Sequence, residues 1–376
     1  MDTAHVVVLG AGIPGLMTAV ALADAGHSVV VIDHDDSLVG PAGPRADFGG
    51  LGAVINQVTT TARPALEELI RQGLAAHSRV QDAALMRRVE DQQGPSPEEF
   101  QPWLHLTGVI VLADRSHPTG PADQVASTTL SRADLAQLAP SVRLNPGGVE
   151  AGHALLIDSE GYLDDDRLIA ELVSQLTEAG VAIVAGRLES MSSTDRQAHL
   201  RLRYRLPANH PSEPGGWGEV EEITAEVAIL ASDHVPATGH EVLAVTEPIG
   251  VGLHQAVLTA GATIRPDTSG RIRVRMADQS TPEDIANHLA AVLGERPVVE
   301  HLTTVPRSSA DPVAGYTDQH RRLYHLNGGA LWLTLAALFA EVATTEVGAR
   351  GPHARDHPPE PTYADHLLAE FRPETS

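Results

Sequence analysis

Cysteine is absent from this chain, and so is lysine. The first absence rules out disulfides, thiol catalysis, cysteine–zinc sites and any cofactor tethered through sulfur. The second rules out a Schiff-base or P-loop lysine. All 26 basic residues are arginine, a bias that a GC-rich genome would produce. Positive charge is scarce overall: the 26 arginines face 49 acidic residues, for a net charge of −23 and a pI near 5.1. That balance argues against nucleic acid and an anionic membrane surface as partners, and its simplest meaning is solubility. Long hydrophobic runs are missing too. The most apolar late stretch, Ala330 to Ala340, is too short to span a bilayer and is followed by Glu341. No basic region precedes the first apolar run, which reads as a strand and not as a signal peptide. A cytoplasmic protein is expected. The 19 histidines make no convincing metal set; His234, His240 and His254 are scattered, and no metal is expected. Asp164-Asp165-Asp166 looks like a cation cluster but stands at a predicted helix start, where acids complement the helix dipole. No Ser-His-Asp arrangement stands out.

With 376 residues, 42% of them hydrophobic, the chain has room for two domains. The stretch from His5 to Asp36 organises what is present. Val6, Val7, Val8 and Leu9 form a β-branched apolar run suited to a buried strand. Gly10-Ala11-Gly12-Ile13-Pro14-Gly15 follows, then an Ala- and Leu-rich helical segment, Leu16 to Ala25, stopped by Gly26. Ser28 to Ile32 reads as a second buried strand ending in Asp33. This is the G-x-G-x-x-G fingerprint in its context of strand, turn, helix and strand. The first glycine permits a tight turn, the second lets the backbone approach a pyrophosphate, and the third lets helix and strand pack closely. The helix N-terminus offers N–H donors and partial positive charge to phosphates. Asp33, 23 residues after Gly10, stands where a carboxylate takes ribose hydroxyls. The pattern predicts a bound adenine dinucleotide; the alternative is a glycine turn used only for packing.

Further along, Thr59 to Ala76 reads as an amphipathic helix with Leu66, Leu69, Ile70 and Leu74 on one face. Leu104 to Leu112 is a strand signal. Ser131 and Thr281 are N-caps of predicted helices. Asp164 to Gly180 is a helix followed by a strand at Val181 to Val184. Charged, period-two segments at His199 to Leu206 and Glu219 to Thr224 flank a loop, and Val227 to Ala231 is a buried strand. Ala330 to Val347 is a late helix. The expected nucleotide domain is assembled from 1–85, 154–195, 225–240 and 306–347, with a β-rich domain inserted as 86–153 and 241–305 and a tail from 348.

Read together, these segments resemble the flavin-dependent D-amino-acid oxidase and glycine oxidase family over most of residues 4–345. The likeness rests first on VVVLGAGIPGLMTAVALADAGHSVVVIDHD. It continues in LHLTGVIVLAD (104–114), LSRADLAQLAPSVR (130–143), HALLIDSEGYLDDDRLIAEL (153–172), VAILAS (227–232), DPVAGYT (311–317) and LYHLNGGALWLTLAAL (323–338). The resemblance implies an α/β fold, with a Rossmann-type FAD-binding domain interleaved with a β-sheet-rich substrate domain. It implies FAD as cofactor and oxidation of an amine C–N bond. Hydride would pass from the carbon bearing the amine to the flavin, the imine would be hydrolysed, and O₂ would be reduced to H₂O₂. The implied partners are a small amine or amino acid, free or carried on another protein, and O₂.

By the same resemblance the cofactor contacts fall on Gly10, Gly12, Ile13, Pro14, Gly15, Asp33, His34, Arg45, Leu188, Ser232, Gly328, Gly329, Ala330 and Thr334. Gly328-Gly329 opens a helix whose positive end would stabilise charge on the pyrimidine side of a reduced flavin, or is an ordinary turn before a core helix. Leu188 packs on the adenine or simply in the core. An α-amino acid needs a cation for its carboxylate. Arg307, in TTVPRSSADP, lies one position from the family's carboxylate-binding arginine; a surface salt bridge is the alternative. Tyr316 and Tyr324 are candidates to cover a substrate, or else pack. The departures cluster on the ring side. Ser232-Asp233 stands where the family has Ala-Gly, Pro44 to Asp47 match poorly, and Asn327 and Trp332 replace glycines. They keep a second reading open, a flavin-fold protein with lost or repurposed redox chemistry. An NAD-dependent dehydrogenase is a third, since the fingerprint alone admits NAD.

Overall fold

The computed structural model describes residues 4–33, 48–61, 63–90, 100–114, 125–144, 151–205, 216–231, 239–307, 311–349 and 368–373. In chain order the elements are β1 (Ala4–Leu9), α1 (Ile13–Asp24), β2 (Val29–Asp33), β3 (Gly50–Leu51), α2 (Pro64–Glu90), β4 (Leu104–His105), β5 (Val109–Asp114), β6 (Thr128–Leu130), α3 (Arg132–Leu138), β7 (Ala151–Ile157), β8 (Gly161–Leu163), α4 (Asp165–Glu178), β9 (Ala182–Ser193), β10 (Ala198–Arg205), β11 (Trp217–Leu230), β12 (Gly239–Thr246), β13 (Ala256–Leu258), β14 (Ala262–Pro266), β15 (Ile272–Ala277), α5 (Pro282–Leu293), β16 (Val299–Arg307), β17 (Val313–Tyr316), β18 (Leu323–Asn327) and α6 (Trp332–Gly348). They form two compact units, each built from separated pieces. Unit 1 comprises Met1–Gly43, Asp166–His234 and Ala310–Ser376; unit 2 comprises Pro44–Asp165 and Val235–Ser309.

Unit 1 is built on a mainly parallel sheet. Its parallel strands run in the order β9-β2-β1-β11-β18, with β17 antiparallel at the edge. β1 is paired on both sides, and Val6, Val7 and Val8 are almost wholly buried, which is why its sequence is a continuous apolar run. The two predicted segments at 219–224 and 227–231 are one long strand, β11. Its first half pairs with β10 and its second half with β1, and Ala225 is the register partner of both Ala198 and Ala4. The late helix packs on α1. Counting its opening turn, it spans Gly329–Gly348, 20 residues of mean hydropathy 1.4. That is long and apolar enough to cross a bilayer, contrary to the length expected from Ala330 to Ala340. Yet 67% of its most apolar window is buried inside the protein, where it serves as a core helix.

Unit 2 carries an eight-stranded sheet, β16-β12-β15-β14-β13-β5-β7-β6, and a three-stranded one, β3-β8-β4. The expected boundaries move here. α2 runs well past Ala76, and Gln81 Oε1 accepts the backbone N–H groups of Trp103 and Leu104 at 3.0 and 2.9 Å, so α2 belongs to this unit. β7 and β8 pair with β5, β6, β3 and β4, which keeps 154–163 here as well. Gly108, at φ +90°, breaks the predicted 104–112 strand into β4 and β5. α3 and α5 begin at the expected N-caps, Ser131 and Thr281, and the structure completes each into a capping box with Asp134 and Asp284.

Strand alternation sorts the large sheet into two faces. Ile110, Val242, Val257, Ile264 and Val274 pack on Leu135 of α3 and Ile285 and Leu289 of α5. The opposite face meets Phe48, Val54, Ile55 and Tyr162, and it also carries arginine. Arg265 and Arg273, register partners on β14 and β15, grip the two oxygens of buried Asp165 at 3.0 and 2.9 Å. Thr268 Oγ1 donates to Asp164 Oδ2. The Arg265 guanidinium lies between the Tyr162 and Phe48 rings, 5.4 and 5.7 Å from their centroids. Arg275 also lies over the Phe48 ring, 5.0 Å from its centroid, and His105 stacks on Tyr162 at 4.8 Å. The aspartate run therefore does more than complement a dipole: arginine supplies the cation that Asp165 faces.

Glu160 is a second buried carboxylate of unit 2. It accepts the backbone N–H groups of Val54 and Ile55 at 2.8 and 2.9 Å. Burial outweighs those donors and pushes its pKa from 4.5 up to about 7.

Two outcomes are expected. Asp165→Asn leaves two buried guanidinium groups short of an anion and destabilises the protein by about 3 kcal/mol in urea unfolding; a change below about 0.5 kcal/mol would show the pair to be dispensable. Glu160 binds its proton more tightly folded than unfolded, so its contribution is full below pH 4.5 and fades as pH rises through about 7. The stability advantage of the wild type over Glu160→Gln should shrink across that window; a difference flat in pH would mean an ordinary carboxyl.

Candidate cofactor site

The site in unit 1 is built from the turn between β1 and α1. Gly10 adopts φ +108°, and its N–H bonds the Ile32 carbonyl at 2.8 Å, which pins the turn to β2. A Cβ on Gly15 would lie 1.9 Å from the Gly10 carbonyl oxygen, so helix and turn touch backbone to backbone. Gly12 is exposed between buried Ala11 and Ile13 and is the N-cap of α1, with no side chain capping it. Pro14 sits in the first turn, where its missing N–H is harmless. The result is a bare helix N-terminus behind an open glycine face, suited to a pyrophosphate. Asp33 closes the turn from the far side: its Oδ2 accepts the Ala11 N–H at 2.7 Å. The carboxylate thus braces the loop, a task that the spacing argument did not assign to it.

The C-terminal motif departs from the expected form. A 3-10 turn, Gly329–Leu331, precedes α6, so the helix proper begins at Trp332 and not at Ala330. Asn327 Oδ1 accepts the Gly329 N–H at 2.7 Å, consuming a donor that the resemblance reserves for a ligand. A Cβ on Gly328 would lie 2.1 Å from Trp332 Cα, so this turn admits only glycine there. The Trp332 ring reaches the phosphate loop: a Cβ on Gly12 would stand 3.6 Å from its Cζ3 and 3.9 Å from its Cη2. Composition and motif gave no sign of that contact; only the displaced glycine at 332 hinted at it.

Thr334 is fully buried inside α6, so its side chain belongs to the interior and not to an open site. Leu188 packs beside Leu200 and Leu202 on the core below β1 and β2. Tyr316 and Tyr324 face each other across β17 and β18, rings edge-on at 4.7 Å. Tyr324 is 1% exposed; burial, then the charge of Glu346, raises its hydroxyl well above the usual tyrosine range. Arg372 bonds Glu346 and the Ala314 carbonyl in the same buried corner. Arg307 ends β16 in unit 2, its backbone paired with Gly239; its side chain lies outside the described residues. His34, Arg45, Ser232 and Asp233 lie outside them too. Unit 2 contains a cavity of about 410 Å³ lined by Phe48, Leu243, Val245, Arg273, His301 and Thr303, among others. Sequence reasoning missed Arg273, although alternate arginines in RIRVRM signal a polar strand face.

A parallel sheet in this order, with a glycine turn after its first strand and an acid at the end of the second, marks a dinucleotide-binding domain of the Rossmann type. The chain belongs to the FAD dependent oxidoreductase family, DAO, whose profile it matches over residues 5–346. Its fold is similar to that of glycine oxidase from Geobacillus kaustophilus (TM-score 0.67, 16% identity, 93% of this chain and 95% of that one). It is equally similar to iminodiacetate oxidase from Chelativorans sp. BNC1 (TM-score 0.67, 18% identity, 98% and 99%). L-α-glycerophosphate oxidase from Mycoplasma pneumoniae, a structure with FAD bound, shares the fold at a TM-score of 0.61 and 14% identity, over 93% of this chain and 95% of that one. No curated sequence matches the chain.

The residues present fit the adenine and pyrophosphate half of FAD: an uncapped α1, an exposed Gly12 and a loop braced by Asp33. Trp332 stands against part of the same surface. Removing the brace with Asp33→Ala should weaken FAD binding at least about tenfold, since a bond to a charged acceptor contributes about 1.5–3 kcal/mol. Titration of the protein with FAD by flavin fluorescence measures this, and an unchanged Kd would take Asp33 out of the site.

Proposed function

We propose that this protein oxidises the C–N bond of a small amine or amino acid to an imine, with O₂ reduced to H₂O₂. The observation that carries this reading is the bare N-terminus of α1 behind the Gly10–Gly15 turn, in a chain that belongs to the FAD dependent oxidoreductase family. The structural relatives named glycine oxidase and iminodiacetate oxidase support an amine as the substrate class. FAD supplies the hydride acceptor. The N–H groups at the start of α1 hold its pyrophosphate, and Asp33 fixes the loop that presents them. With FAD bound, the carbon bearing the nitrogen would give up a hydride, the nitrogen lone pair would turn the C–N bond into C=N as a proton is lost to water, and O₂ would take the two electrons. For a carboxylate on the substrate, Arg307 is the guanidinium that the resemblance offers, since Arg273, which lines the unit 2 cavity, is engaged by Asp165. A cytoplasmic location and a substrate either free or carrier-bound belong to the same proposal.

A second reading, a flavin fold turned to non-redox use, draws on Asn327 capping Gly329 and on Trp332 against Gly12. The two separate in one experiment. The purified protein is mixed with FAD and then with a panel of small primary and secondary amines, first without air and then with it. The proposal expects the oxidised flavin bands to bleach with at least one amine, and peroxide to appear on readmitting O₂. A bound flavin that dithionite bleaches but no amine does would favour the second reading; no bound flavin at all would overturn both.

A further inference from the structure

Trp332 is the first residue of α6, and its backbone is fixed by the turn before it. The Gly329 N–H is held by Asn327, Leu331 N–H bonds the Gly328 carbonyl at 2.9 Å, and the missing side chain at Gly328 is filled by Trp332 itself. The ring has less constraint than the backbone. It is half-buried, and its benzenoid edge lies over Gly12, an exposed residue. Gly12 has no side chain to keep an indole away, and Pro14 beside it gives an apolar surface: its Cδ lies 3.9 Å from the same Cβ position. An indole there makes favourable dispersion contacts with the loop. It cannot accept hydrogen bonds in its plane from the N–H groups of the first helical turn, whereas a pyrophosphate can.

We propose that Trp332 is a cofactor-gating residue, its indole resting on the Gly12–Pro14 face where the pyrophosphate binds and swinging aside to a second rotamer when the dinucleotide enters. The inference rests on the FAD reading above. It makes Trp332 a positioning residue that tunes cofactor occupancy, and it says that the resting protein is held against the dinucleotide by its own side chain. Loss of the ring therefore strengthens binding. Any ligand that brings a pyrophosphate to the loop feels the gate, including ADP, which lacks the flavin ring.

The test is calorimetric titration of flavin-stripped wild type, Trp332→Ala and Trp332→Phe with FAD and, separately, with ADP. Thermal unfolding of each protein guards against a folding defect, and the Phe variant keeps the aromatic packing of α6. The proposal expects Trp332→Ala to bind both ligands about tenfold more tightly, with Trp332→Phe between it and the wild type. Equal or weaker binding by both variants would overturn it, because a ring that clamps the cofactor, or misses it, cannot be a gate. A gain for FAD without a gain for ADP would overturn it as well, placing the ring against the flavin and not over the pyrophosphate. Binding by the wild type with no change in the variants defeats the gate alone; no binding of FAD by any of the three defeats the functional reading with it.

Discussion

The contact that unit 1 depends on is a negative one: there is no room for a methyl group at residue 15. With the Gly10 carbonyl 1.9 Å from the place a Cβ would take, α1 lies directly on the turn that starts it. That approach sets the helix axis relative to β1, aims the helix N-terminus at the open face of Gly12, and brings Ala11 within reach of Asp33. Sheet order, helix direction and ligand surface all follow from one close backbone contact. The same closeness explains why the loop is sensitive to a neighbour such as Trp332: a surface made of bare backbone is equally open to a phosphate and to a ring.

Unit 2 is organised by charge buried in its apolar face. Asp165 is 1% exposed and Arg265 is fully buried, an arrangement that is stable only when each ion is well partnered. Here the partnering is planar. Guanidinium groups can bond a carboxylate edge-on and stack on aromatic faces at the same time, which an ammonium cannot. Arg265 lies over Tyr162 and Phe48, and Arg275 over Phe48, in a chain without lysine. The compositional bias that looked incidental is what allows cations to sit inside this sheet.

Much of unit 1 was legible because its signals are local. The glycine spacing and the apolar runs of β1 and β2 each act within a few residues, as do the caps Ser131 and Thr281 in unit 2, and the family likeness followed their order. What stayed hidden was set by pairing over long distances. β11 looked like two segments because its two halves face different neighbours and therefore carry different patterns. α2 looked shorter and seemed to belong with the nucleotide pieces, because Gln81 meets Trp103 only in three dimensions. At the site, the turn and Asp33 were readable and the ring side was not. Asn327 and Trp332 showed as departures, but nothing in their spacing said that one would cap Gly329 and the other lie against Gly12. Tyr324 had the right residue type for a substrate cover, and what its sequence did not show is its burial, edge-on against Tyr316.

The strand order of unit 1 has a consequence for how the chain reaches its structure. β1 is made first, yet one of its two partners, β11, is about 220 residues further along, and β18 extends the sheet only after a further stretch of synthesis. The buried, apolar strand β1 thus waits with one edge unpaired while unit 2's first segment is made. Such non-local parallel pairing is slow and leaves hydrophobic edges open. A nascent chain cut short before Leu230 would carry the glycine turn, β2 and Asp33 but leave the β11 edge of β1 open, so the demand for protection falls early in synthesis, after the dinucleotide surface is written and before the sheet behind it is complete.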